Sequence, residues 1–154
     1  KNRQGIMISK IWIDADSCPS LIRDYIVNYG IRTNTEIFFV ANHNISAKKD
    51  SFKMIICEKE KDAADNYIFS MAEQSDLVIT RDIILAEKLV NKNIQVINDR
   101  GTLFTKNNIH NRIEDRNLDL QLAQLGFGGG TNVYGEKQFK KFRNCFENII
   151  SKQQ

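Results

Sequence analysis

The sequence predicts an α/β domain on a mostly parallel, doubly wound sheet with a helical C-terminal part. Three observations carry that expectation. From residue 10 to residue 98, short apolar runs alternate with longer amphipathic ones, the order that parallel strands and crossover helices produce. Runs such as "LVI" at 77–79 are continuous rather than alternating, which suits strands covered on both faces. The 154 residues contain no repeat and no linker, so they amount to one domain. Residues 10–152 are expected to form it. Residues 1–9 are expected to be an N-terminal extension or tag remnant, with Met7 a natural start.

"KIWID" (10–14) is the first strand. "PSLIRDYIVNYG" (19–30) is a helix, with Pro19 in its first turn, Ser17 or Cys18 near its cap and Gly30 as its stop. Leu21, Ile22, Tyr25, Ile26 and Tyr29 give it an apolar stripe. "EIFFVA" and "FKMIIC" are strands, separated by the polar loop "HNISAKKDS". "KDAADNYIFSMAEQS" is a helix whose inward stripe is Ala64, Ile68, Met71 and Ala72. "DLVIT" is a buried strand, "ILAEKLVNK" a helix and "IQVIN" a strand. After "NDRG", residues 107–125 read as helix, with or without a break, and "GFGGGTNVYG" as a glycine-rich loop. "EKQFKKFRNCFENII" is a closing amphipathic helix with Phe139, Phe142, Phe146 and Ile149 on one stripe.

Composition narrows the function classes. The chain is 42% hydrophobic and 27% charged, ordinary for a soluble globular domain. No apolar run approaches the roughly 18 residues of a membrane span, and the start lacks the apolar core of a signal peptide. No membrane association and a cytoplasmic location are therefore expected. Three scattered cysteines and two histidines make neither a disulfide framework nor a zinc pattern, so a metal here would need oxygen ligands. Residues 98–154 hold nine basic and six acidic residues, the whole net charge of +3. That excess would suit a polyanion, though ordinary surface charge accounts for it equally.

The acids fall on one edge of the predicted sheet. In an open parallel sheet the site lies beyond the carboxyl ends of the strands. Asp14 and Asp16 end the first strand, Asp82 follows "LVIT" and Asp99 follows "QVIN". Asp62 and Asp65 open a helix that follows a strand. Clustered carboxylates repel one another. Mg2+ or Mn2+ would relieve that repulsion, activate water and stabilise charge on a phosphoryl group. Thr80 is placed to orient a water or a carboxylate. Structural roles compete for several acids. Asp62 reads first as a helix cap, Asp99 as a turn residue, and Asp76, at the opposite strand end, as surface or turn. Asp65 flanks the apolar stripe near Ile68 and points partly inward.

Two enzyme classes share these features. A haloacid-dehalogenase-like phosphatase also ends its first strand in Asp-x-Asp and a later one in Thr, but "NDRG" offers a single acid and no cap-sized insertion follows "IDADSCP". A PIN-like nuclease asks for an acid at the first strand end, an acid in a mid-chain helix and T-x-D after a buried strand. "IDAD", "DAADNYI" and "VITRD" supply these in order. With "IWIDADSCP", "FVAN", "DAADNYI", "DLVITRDIILAEKL", "NDRGTLFT", "NIHNRIEDR" and the "GG" before the last helix, the chain resembles the YaiI/YqxD family of uncharacterised bacterial proteins, whose fold is regarded as PIN-like.

That resemblance implies a PIN-like three-layer sandwich and, by inference, a divalent-metal-dependent phosphodiester hydrolase, foremost an RNase. Asp14, Asp65 and Asp82 would be metal ligands for Mg2+ or Mn2+, Asp16 and Asp62 would support them, and Thr80 would orient. Arg81, Arg100, Arg112 and Arg116 would contact phosphates of RNA or another nucleic acid. The chain departs from the family pattern at three places: Asp99 for a proline, Asn117 for an aspartate after Arg116, and Thr131 for a proline. Asn117 leaves open a non-catalytic RNA-binding or protein-interaction module with a vestigial acidic pocket. The phosphatase is a further alternative. Phe104, Phe127 and Tyr134 could stack bases, but such aromatics are more often core or loop anchors.

Overall fold

The computed structural model describes residues 8–43, 52–59, 62–127 and 133–152. Residues 1–7 of the N-terminal extension, most of the polar loop from 43 to 51, the glycines at 128–130 and Thr131 lie outside them.

Strand β1 (Lys10–Asp14) sets the layers. Successive side chains of a strand face opposite sides: Ile11 and Ile13 enter one core, Trp12 the other. The sheet runs β3-β2-β1-β4-β5-β6, with β2 at Glu36–Ala41, β3 at Lys53–Ile56, β4 at Leu77–Ile79, β5 at Gln95–Ile97 and β6 at Leu103–Phe104. The first five strands are parallel, and β6 pairs antiparallel with β5. Two-residue β6 carries no periodicity and was not expected from sequence. Helices α1 (Ser20–Thr33) and α5 (Glu136–Ser151) cover the Ile11 face, while α2 (Ala63–Met71), α3 (Ile83–Asn91) and the start of α4 (Ile109–Gln124) cover the Trp12 face. The result is a three-layer α/β arrangement with a mostly parallel central sheet. Among the described residues no helix is long and apolar enough to cross a membrane.

Several local expectations change. Gly30 does not stop α1. The helix runs on to Thr33, and Asn34 closes it in the left-handed conformation. Gly30 serves close packing instead, because a Cβ there would lie 2.6 Å from Ile37 Cγ1. Leu21 is exposed rather than inward. Helix α2 ends at Met71, which is 46% exposed and so leaves the predicted stripe, while Ala72 is buried just past the helix end. Helix α4 is unbroken. Its first turn buries Ile109, and every described residue from Glu114 to Phe127 is exposed. The stripe of α5 holds throughout: Phe139, Phe142, Phe146 and Ile149 are buried, with Tyr25 set edge-on to the three phenylalanine rings.

Asp76 is not a surface residue. It is 2% exposed, and its Oδ2 accepts from Trp12 Nε1 and from Glu73 N, both at 2.9 Å. One carboxylate thereby satisfies a buried indole and the turn that ends α2. Asp76→Ala strands both donors and is expected to cost about 2–3 kcal/mol, read as a lower urea midpoint with an unchanged m-value.

Candidate functional site

The chain winds outward from β1 to β2 and β3, then returns to lay β4 and β5 on the other side of β1. The reversal falls between β1 and β4, where open α/β sheets place their sites. Asp14 ends β1, and Thr80, Arg81 and Asp82 follow β4.

Thr80, 2% exposed, ties the two strand ends together. Its Oγ1 donates to Asp14 Oδ2 at 3.0 Å and accepts from Asp82 N at 3.0 Å. Asp14 lies two residues after Trp12 and so on the α2/α3 side of the sheet. Burial pushes its carboxyl up to about 6, opposed by the Thr80 hydrogen bond and reinforced by Asp16 and Asp82. Thr80→Val removes the one lowering contribution. The Asp14 carboxyl is expected to titrate measurably above 6 in the variant, followed by carboxyl-carbon NMR.

Asp82 has a structural duty as well. It is the N-cap of α3, with Oδ1 accepting from Ile84 N at 2.9 Å and Leu85 N at 3.1 Å. Against burial, which raises it, the Asp65 carboxyl beside it, then those backbone donors and Arg116, hold Asp82 below the usual carboxylate range. Asp65, in the first turn of α2, takes the opposite shift. Burial, the facing Asp82 and the charges of Asp14 and Asp62 push it up to about 8. The two carboxyls face each other, so what holds Asp82 down holds Asp65 up.

Asp62 occupies the N-cap position of α2, as expected, but does not cap it with its carboxylate. Its side chain makes no cap hydrogen bond, and its backbone is left-handed at φ 68°, a conformation non-glycine residues adopt at some cost. One ligand oxygen from each of Asp62, Asp65 and Asp82 lies within 4.8 Å of the others. Among the described residues that is the one acidic group so converged, and Asp14 stands outside it. The cluster lines a cavity of about 380 Å³ with Arg116, Asn66 and Lys88. A second cavity of about 320 Å³ shares Asp62 and Asp65 and adds Asp14, Asp16 and Lys59. Asp16 is drawn aside because a 3-10 turn at Ala15–Ser17 breaks the strand's alternation. Its carboxylate accepts from Asn42 N at 3.1 Å and 3.2 Å and lies 3.1 Å from His43 Nδ1.

The four arginines separate. Arg116 faces the acidic cluster. Arg81 is bound to Asp99: its Nε donates to Oδ2 at 3.1 Å, and its Nη2 donates to the same oxygen. Asp99 sits in a turn, as expected, but is 4% exposed and keeps Oδ1 without a partner among the described residues. Arg100 lies 6.0 Å from the Tyr134 ring centroid, beside α5 rather than the acids. Arg112 is exposed on α4 and lines neither acidic cavity. Phe104 is a core residue and Phe127 is exposed. Tyr134 anchors a loop by donating to Asp99 O at 2.7 Å. Lys88 and Asn66 were not anticipated. The one available signal was Asn66 at i+4 from Asp62; Lys88, six residues after Asp82, had none.

Comparison with known proteins reaches the family level. A family model described as "Uncharacterized BCR, YaiI/YqxD family" matches residues 12–152. The chain is 42% identical over 144 residues to a UPF0178 protein of Treponema denticola, covering 93% of this chain and 92% of that one. It is 40% identical to a UPF0178 protein of Psychromonas ingrahamii, covering 92% and 95%. It is 39% identical to one from Legionella pneumophila, covering 92% and 97%. No solved structure matches the chain significantly.

Proposed function

The chain belongs to the YaiI/YqxD family, and we propose that it is a divalent-metal-dependent phosphodiester hydrolase acting on RNA, with Asp62, Asp65 and Asp82 holding Mg2+ or Mn2+. One observation carries this: three carboxylates converge within 4.8 Å at the switch point of a parallel sheet. The donor set is all hard oxygen, which suits Mg2+ or Mn2+. The half-buried Cys18 thiol, pushed up to about 12 by loss of solvation, stays protonated and takes no part. The elevation of Asp65 comes from burial first and then from the neighbouring acids that crowd it. Held by Asp62, Asp65 and Asp82, a divalent cation would supply Lewis-acid charge for a phosphoryl oxygen.

The remaining roles fall to the chain's own groups. Thr80 occupies Asp14 Oδ2, leaving Oδ1 to take a proton from an attacking water. A carboxyl near 6 is well matched to a general base at neutral pH. Arg116, in the same cavity as the cluster, meets the phosphodiester charge. Asn117, the family departure, lines neither acidic cavity, so that substitution removes no carboxylate from the cluster.

The test is cleavage of a labelled single-stranded RNA by the purified chain in Mn2+ and in EDTA. Mn2+-dependent cleavage is expected, and Asp62→Asn should weaken Mn2+ binding about 10-fold or more. Intact RNA at saturating Mn2+, or equal cleavage in EDTA, overturns the proposal. RNA bound but uncut would indicate a non-catalytic binding module.

A further inference from the structure

We propose that a groove on the other face of the sheet, between the β5–β6 turn and α5, binds the phosphate backbone of a single-stranded RNA segment. The choice of RNA rests on the hydrolase reading above, while the preference for an anion rests on the groove alone. Its volume is about 410 Å³, within the usual range for ligand sites. Arg100, Lys141 and Lys152 line it, and no aspartate or glutamate does. Among the described residues none of these three cations makes an ion pair. Every other cavity described above contains at least two carboxylates. The groove is therefore the electrostatic opposite of the acidic site.

Its construction follows from the sequence. Lys141, Asn144 and Asn148 of α5 and Lys152 at its C-cap recur at helical spacing and form one stripe. The stripe spans about 16 Å, room for more than one phosphate. The two asparagine amides can donate to phosphate oxygens or to base edges. Leu103 and Ile149 supply an apolar floor against which a sugar or base can lie. Gly101 presses the turn onto the helix, since a Cβ there would come 2.3 Å from Lys141 O, and this holds Arg100 beside α5. The carbonyl end of α5 near Lys152 disfavours an anion, so the phosphate belongs next to Arg100 and Lys141. The groove and the acidic cluster share the carboxyl edge of the sheet: Arg100 follows β5, and Asp82 follows its neighbour β4. A strand lying in the groove can thus continue over that edge toward the acids.

The experiment is fluorescence anisotropy of a fluorescein-labelled 12-nucleotide single-stranded RNA with the full chain, in EDTA at low salt. Lys141→Glu and Arg100→Glu are each expected to weaken binding at least about 10-fold and to flatten the salt dependence. Lys53→Glu makes the same charge change on β3, at the opposite edge of the sheet, and is expected to stay within twofold of wild type. Circular dichroism confirms that each variant folds, and Asn144→Asp, which adds a negative charge to the same groove, stands in should one fail. Binding unchanged in the groove variants, an equal loss in Lys53→Glu, or no RNA binding by wild type overturns the inference. So does displacement of nothing by RNA while polyglutamate binds, which would mark a site for acidic protein. Because no metal is present, loss of cleavage with this binding intact counts against the hydrolase reading alone.

Discussion

Asp65→Asn is expected to lower Mn2+-dependent RNA cleavage at least about 100-fold while making the metal-free protein more stable. The two effects have one cause. Asp65 is pushed up to about 8 by burial and by facing Asp82, Asp14 and Asp62. Folding therefore raises its affinity for a proton, and stability falls as pH rises from the unfolded value near 3.8 through about 8. Asp14, raised to about 6, adds to the same fall over the lower part of that window. Asp82 is shifted the other way and acts only below its ordinary value, outside the window. Because Asp65 is half-exposed, solvent screening reduces the total to about 1–2 kcal/mol. The expected result is a melting temperature in EDTA that declines between pH 5 and pH 8 in wild type and much less in Asp65→Asn. Mn2+ should restore the wild type and not the variant. A flat wild-type profile in EDTA would show that the carboxylates do not crowd one another.

Gly101→Ala is expected to destabilise the fold by about 2–4 kcal/mol, measured by urea denaturation. Two penalties add. Gly101 has φ +82°, where an L side chain is strained by about 1–2 kcal/mol. Its Cβ would also lie 2.3 Å from the carbonyl of Lys141, and backbone cannot move as a side-chain tip can. Gly126 provides the comparison. It has φ +84° at the end of α4, yet a Cβ there meets nothing within 4 Å. Gly126→Ala should therefore show the conformational penalty alone, about 1 kcal/mol. Equal losses at the two glycines would remove the close approach as a cause.

The strands were legible because buried parallel strands leave unbroken apolar runs, and "KIWID", "EIFFVA" and "LVI" each lie where expected. The stripe of α5 was legible for the same reason, its phenylalanines recurring at helical spacing. Glycine was harder to read. Gly30 looks like a helix stop, but its meaning lies in Ile37, across the helix–sheet contact. The convergence of acids on one edge followed from topology, but which of them meet did not. Asp62 joins Asp65 and Asp82 through a left-handed backbone that no spacing rule foretells. Arg81 and Asp99 are 18 residues apart and paired, because they follow neighbouring strands. The sequence shows two separate turns there, each with one arginine and one aspartate.

Trp12, the one tryptophan in the chain, has an optical consequence. Its indole stacks on Phe38 at 4.4 Å, donates to Asp76 and lies 6.2 Å from the Tyr67 ring. It precedes Asp14 by two residues, and Tyr67 follows Asp65 by two. The fluorophore is therefore wired by short covalent paths to β1 and α2, the two elements that carry Asp14 and Asp65. Any shift of α2 against the sheet changes the packing around one emitting group. Intrinsic emission thus offers a label-free record of what happens at the acidic cluster, in the unmodified chain and in real time.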